Sequence, residues 1–161
     1  MKLVYLGLGS NLGDRQANLD QAMERLQQEG VIILRRSSLY ETEPRDFLDQ
    51  PWFLNMVVEV ETRLFPRRLL AAIQRIESSM GRRRVIAKGP RLIDIDILFY
   101  QRCIINLENL TIPHPGISER RFVLEPLAEL APDLLYPGTK EQVSSLLLRV
   151  QSQPVRRFLV K

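Results

Sequence analysis

What most narrows the folds open to this chain is a step near its middle where one strand-like run follows another with no helix between them. "VIILRRSSLYET" (31–42) is β-rich, and "WFLNMVVEVET" (52–62) alternates, with Val58, Val60 and Thr62 against Val57, Glu59 and Glu61. Between them "EPRDFLDQP" (43–51) is polar and proline-bounded, a loop of a length that often carries a function. A doubly wound parallel sheet fails at this step.

Strand and helix patterns flank the step on both sides. "KLVYLGLG" (2–9) reads as a strand, and the next segment places Ala17, Leu19, Ala22, Met23 and Leu26 at helical spacing before Gly30 stops it. Downstream, Pro66 suits a first helical turn; Leu69, Ile73, Ile76 and Met80 make one face, and Gly81 ends the helix. "GPRLIDIDILFY" (89–100) is the last strand of the series. The order β-α-β-β-α-β predicts an α+β, ferredoxin-like core, an antiparallel sheet with helices covering one face. "RFVLEPLAELAP" and "TKEQVSSLLLRVQ" predict short C-terminal helices and "PVRRFLVK" an edge strand. With no linker, repeat or low-complexity tract, residues 1–161 are expected to form a single domain.

Function has to be sought in that last strand. Asp94 and Asp96 point to one face while Ile93, Ile95 and Ile97 point to the other, so two carboxylates stand side by side in an apolar run. Alone, the pair would fit a wet sheet face. Just before it, however, "GRRRVIAKGPR" carries Arg82, Arg83, Arg84, Lys88 and Arg91 without one acid. Arginines entering a paired-carboxylate strand suit a metal–polyphosphate site, where carboxylates hold Mg²⁺ and guanidiniums take the phosphate charge it leaves uncovered. Two aspartates on one face can bridge two Mg²⁺ ions. The net charge of +4 and pI near 9.6 agree with an anionic partner, phosphate or nucleic acid.

Other motifs are weaker. "GLGSNLGD" has GxGxxxG spacing, not the dinucleotide GxGxxG, and reads as a tight turn with Asn11 or Asp14 capping the helix. The only histidine, His114, is stiffened by a proline on each side and followed by Arg120 and Arg121, which permits a phosphate contact. Phe53 and Asn55 share a strand face; a flat heterocycle could stack on the ring and be read by the amide, with Phe122 as second face, although core burial of Phe53 is the plainer reading. Cys103 is the only cysteine, reads as a small buried hydrophobe, and fits a reducing compartment. The N-terminal apolar stretch, Leu3 to Leu8, is too short for a secretory leader and no run is long enough for a membrane span, so a cytoplasmic location is expected.

Taken together, "GLGSNLGDR", "FLN" (53–55), "QRIE" (74–77), "GRRR…GPRLIDIDIL" and "LTIPHPGISERRFVLEPL" resemble, in order and over nearly the whole chain, the 6-hydroxymethyl-7,8-dihydropterin pyrophosphokinases of folate biosynthesis. The resemblance implies a ferredoxin-like core and transfer of pyrophosphate from ATP to the pterin hydroxymethyl group, with release of AMP. It implies Asp94 and Asp96 as ligands of two Mg²⁺ ions, and Arg82, Arg91, Asp94 and Asp96 as the catalytic set. ATP-side positions would be Gln74, Glu77, Arg84, Arg91, Ile97, Thr111, His114 and Arg120. Pterin-side positions would be Thr42, Pro44, Phe53, Asn55 and Phe122. Lys88 stands where members often carry an aromatic residue, Phe53 replaces a frequent Tyr, and Pro115 replaces a Tyr of some relatives. The expected partners are ATP and a reduced pterin, with no nucleic acid or membrane, and the expected state is a monomer. A DxD-type nucleotidyltransferase would need its Gly-Ser turn close to the aspartates, whereas Ser10 and Asp94 lie far apart in the chain. A ferredoxin-like RNA-binding module would need aromatics on the central strands that "KLVYLGLG" and "IDIDILFY" do not supply.

Overall fold

Residues 1–44, 49–81 and 91–159 are described by a computed structural model. In chain order they form β1 (Lys2–Ser10), α1 (Arg15–Gln28), β2 (Val31–Arg36), β3 (Tyr40–Thr42), β4 (Phe53–Thr62), α2 (Pro66–Ser79) and β5 (Asp94–Tyr100). A hairpin of β6 (Ile105–Leu107) and β7 (Leu110–Ile112), a 3-10 turn (Ile117–Glu119), α3 (Arg121–Leu130), α4 (Val143–Leu148) and β8 (Val155–Arg157) follow. The main sheet is antiparallel, in the order β5-β1-β4-β3-β8, with β2 also pairing β4. This is a ferredoxin-like core with C-terminal additions.

The segment predicted as one strand over 31–42 is two, β2 and β3, both paired to β4. They part at Ser37, whose amide donates to the Val57 carbonyl and whose hydroxyl accepts from the Val57 amide. Side-chain competition of this kind interrupts a strand without releasing it from its neighbour.

Helices cover both faces, not the one expected. Val4, Leu6, Leu8, Val58 and Val60 pack with Leu19, Leu26, Leu69 and Ile73 of α1 and α2. On the opposite face Tyr5, Val57, Leu98 and Phe99 pack with Leu124 and Leu127 of α3 and Val143 and Leu146 of α4. Each fully buried Leu or Val is worth about 1.5–3 kcal/mol of burial, so neither layer is incidental. The second layer explains why β4 is buried on both faces, Glu59 included. Glu59 is buried because Tyr5 Oη donates to it at 2.6 Å and Arg35 donates through Nε at 3.0 Å and a second nitrogen at 2.8 Å. Cys103 is half-buried against the first core.

Candidate active site

The α3–α4 layer leaves one end of its sheet face open, and the candidate site lies there. In the antiparallel register Gly7 faces Asp96 and Val57, while Gly9 faces Asp94 and Asn55. Cross-strand partners share a face, so two glycines lie between the acidic pair and the amide. With no side chains at these positions, backbone becomes the floor of a cleft of about 340 Å³. Its walls come from β3 and the following Glu43 and Pro44, from Gln50, from Arg91, and from His114, Arg120 and Phe122 before and within the first turn of α3.

At one end, Asn55 is buried and its Nδ2 donates to Thr42 Oγ1 at 2.7 Å. Its Oδ1 points toward Gly9, where an added Cβ would sit 2.7 Å away. Phe53 and Phe122 are half-buried and line the same cleft, so the core reading of Phe53 gives way to a cleft wall. At the other end, Arg91 Nη1 donates to Asp94 Oδ2 at 3.0 Å. The Arg91 Nε–H is buried with no hydrogen-bond partner among the described residues; the residue lines the cleft, where a guanidinium suits an anionic oxygen.

Burial pushes the Asp96 carboxyl up to about 7, with the Asp94 and Glu77 carboxylates adding to the shift and Arg91 and Arg120 opposing it. The Asp96 side chain keeps 41% of its surface and lines the cleft, so water that enters the cleft tempers this shift. Crowded acidic oxygens that resist ionisation are short of positive charge, and a hard divalent cation taking oxygen ligands fits them. Among the described residues no third His, Cys, Asp or Glu joins them in a metal-binding cluster, so a cation there would complete its shell with water or ligand oxygens. Burial, then Arg120, lowers the His114 pKa, which keeps the imidazole neutral at pH 7. Its Nε2 lies 3.7 Å from Asp96 Oδ1, too long for a hydrogen bond.

The profile of the 7,8-dihydro-6-hydroxymethylpterin-pyrophosphokinase (HPPK) family matches residues 5–132. The chain belongs to the HPPK family. It is 48% identical over 158 residues to the folic acid synthesis protein fol1 of Schizosaccharomyces pombe, covering 98% of this chain and 22% of that protein. It therefore spans about a fifth of the fungal relatives it matches, a second of which is the Pneumocystis carinii fol1 protein, also covered to 22%. It is 44% identical over 158 residues to the 2-amino-4-hydroxy-6-hydroxymethyldihydropteridine pyrophosphokinase of Methylorubrum extorquens, covering 98% of this chain and 99% of that one. Among solved structures, Plasmodium falciparum HPPK-DHPS aligns with 92% of this chain and 43% of its own, with a TM-score of 0.75 at 18% identity, a likeness of fold.

Of the HPPK site positions expected from sequence, the cleft gathers Thr42, Pro44, Phe53, Asn55, Arg91, Asp94, Asp96, His114, Arg120 and Phe122. Gln74 and Thr111 are exposed and Ile97 is in the core, and none of the three lines the cleft. For Ile97 the cause is alternation, which turns it away from Asp96. Glu77 is buried and reaches the site indirectly, its Oε2 accepting from the Ile95 amide at 3.0 Å. Arg82, Arg84 and Lys88 lie outside the described residues.

Asn11 has a different job from the capping role expected of it or Asp14. Asp14 caps α1, its Oδ1 accepting from the Ala17 amide at 3.1 Å. Asn11, 1% exposed, instead ties together two segments that border the cleft. Its Oδ1 accepts from the Arg91 amide at 2.7 Å, and its Nδ2 donates to Gln50 Oε1 at 2.8 Å and the Pro51 carbonyl at 3.0 Å. Its own amide donates to the Arg91 carbonyl at 3.0 Å. Asn11→Ala is expected to cost about 1–3 kcal/mol, because it strands buried polar partners, and to lower turnover by freeing Arg91. Urea denaturation alongside steady-state assays would check both; unchanged stability would rule out the tie.

Proposed function

We propose that this chain transfers the terminal pyrophosphoryl unit of ATP to the hydroxymethyl oxygen of 6-hydroxymethyl-7,8-dihydropterin and releases AMP, acting as one pyrophosphokinase domain over residues 1–161. The observation that carries this reading is the single cleft that holds an aromatic-and-amide end and a carboxylate-and-arginine end on one backbone floor. Full-length relatives named as pyrophosphokinases support it.

At the first end the pterin stacks between Phe53 and Phe122, and Asn55 reads its amide edge. Because Asn55 Nδ2 is engaged by Thr42, Oδ1 is left to accept from a ring N–H. At the second end Arg91 and Arg120 offset charge on the polyphosphate, and the neutral His114 contributes an N–H without adding charge. Asp94 and Asp96 would hold Mg²⁺, expected as two ions, which supplies charge neutralisation at the phosphates. The hydroxymethyl oxygen forms its bond to the β-phosphorus as the bond from that phosphorus to the α,β-bridging oxygen breaks; AMP leaves with that oxygen, and the hydroxyl proton is given up to water. Such transfers depend on positioning and electrostatics more than on proton abstraction, so the lack of an obvious general base is no obstacle. A cytoplasmic location accords with the one free thiol, Cys103.

Gly9→Ala gives a sharp test of the pterin end. The new methyl would displace Asn55 Oδ1, and Asn55 can turn aside only by leaving Thr42. The fold should survive, since the clash is with a side-chain tip, while pterin affinity falls about tenfold or more, at the scale of one lost hydrogen bond and some overpacking. Equilibrium binding of the pterin with thermal melting would read the two effects separately; unaltered affinity would remove Asn55 from recognition. For the reaction itself, mixing the protein with ATP, Mg²⁺ and the pterin should yield pterin-dependent AMP. Pyrophosphate release with nucleotide attachment would instead identify a nucleotidyltransferase, and salt-dependent RNA binding without turnover a nucleic-acid module.

A further inference from the structure

We propose that Gln153, from the segment between α4 and β8, is a positioning residue that sets the backbone on both sides of Arg120 and so aims Arg120 and Phe122 into the cleft. This rests on the reading that Arg120 and Phe122 meet the substrates. The Gln153 Oε1 accepts from the Arg121 amide at 2.9 Å, and its Nε2 donates to the Glu119 carbonyl at 2.6 Å. One side-chain amide thus brackets a single residue, and that residue is Arg120. Helix α3 opens directly after Arg120, which supplies no side-chain capping bond of its own, and the amide hydrogens of a first turn need outside acceptors. Gln153 provides one from a part of the chain more than thirty positions away.

Further contacts fix the same junction. Arg121 Nη1 donates to the carbonyls of Gln151 at 3.0 Å and Gln153 at 2.9 Å, and a second nitrogen donates to Glu125 Oε1 at 3.0 Å. Arg121 therefore turns away to hold the C-terminal segment, while Arg120 is left to face the cleft. Beneath Arg120 lies Gly116 at φ 88°, where a Cβ would come within 3.2 Å of the Arg120 Nε and 3.3 Å of its Cζ. The guanidinium lies against bare backbone, and its Cζ is 6.0 Å from the Phe122 ring centroid. A phosphate-side cation and a heterocycle-side ring are thus two residues apart on a junction whose backbone Gln153 holds.

The test is a cycle of Gln153→Ala and Arg120→Ala in the full chain, with AMP formation read per folded molecule. Gln153→Ala alone should lower kcat about tenfold, the scale of a small misplacement of a binding group. In the Arg120→Ala background the same change should cost less than about twofold in kcat, because its phosphate-side target is gone and only the placement of Phe122, read as pterin KM, is left to it. Gln153→Glu retains the acceptor for the Arg121 amide and should recover part of the lost kcat. A purely structural role would lower the melting temperature and give the same fold-loss in both backgrounds, and that result overturns the proposal. Unchanged kcat in both Gln153 variants overturns it too. A wild type that forms no AMP overturns the functional reading and this inference with it, whereas an active wild type with additive losses overturns this inference alone.

Discussion

Asp96→Asn is expected to cut AMP formation about 10³-fold or more while raising the melting temperature of the ligand-free protein. The loss follows from replacing an anionic oxygen ligand with an amide where charge on the transferred group must be stabilised. The gain follows from the crowding at that position. Burial and two nearby carboxylates hold the folded pKa of Asp96 above its unfolded value, so the folded state binds the proton more tightly. Stability from this group is full below about pH 4 and is lost as pH rises through about 7. Asn carries no charge to repel and removes that loss. Discounted for the water that reaches the cleft, the effect at pH 8 is about 1–2 kcal/mol, or about 2–8 °C in a chain of this size. Melting curves without Mg²⁺ or nucleotide should show the gap between variant and wild type shrinking from pH 8 to pH 5. A variant less stable than wild type at pH 8 would refute the account of charge crowding, and wild-type turnover at limiting Mg²⁺ would refute the metal role.

Arg91→Ala should be nearly as damaging, and to a different step. The side chain is pinned by Asp94 and by the Asn11 tie to its backbone, and it keeps a buried Nε–H free of protein partners among the described residues. A fixed donor aimed at a polyphosphate acts mainly as charge builds in the transition state, so single-turnover chemistry should slow about 10²–10³-fold. Pterin affinity should change less than about twofold, because Phe53, Asn55 and Phe122 remain in place. Arg91→Lys should restore little, since an ammonium lacks the planar fork that serves Asp94 and a phosphate together. Lost pterin affinity with intact chemistry would reassign the residue.

The core was legible because its signals are local. Helical spacing in 15–30 and 66–81, alternation in 52–62 and the missing helix between two strand-like runs predict β-α-β-β-α-β, and the structure has that order with the second strand divided into β2 and β3. The second helical layer was legible only as two short helices; nothing in the spacing of "RFVLEPLAELAP" says which sheet face it covers. The site was half legible for the same reason. Asp94 and Asp96 announce themselves by charge within an apolar strand, but Gly7 and Gly9 are silent until the register places them opposite. In the sequence they fall both in the strand "KLVYLGLG" and in the turn-like "GLGSNLGD"; β1 runs through both to Ser10 and the turn begins later. An i, i+2 pair of glycines and an i, i+2 pair of aspartates, each on a strand, was the signal that would have joined them. Asn11 was hidden further, because its partners lie near residues 50 and 91 and no local pattern encodes such a tie.

A surface built from main chain has no rotamers to rearrange. Under the candidate ligands the sheet is locked by ladder hydrogen bonds on both sides of β1, so it cannot mould itself to what arrives. Accommodation of incoming molecules, and their escape, must therefore be lateral, through the bordering segments and the start of α3. Variation that retunes preference without harming foldability should accumulate along those flanks and spare the central strands.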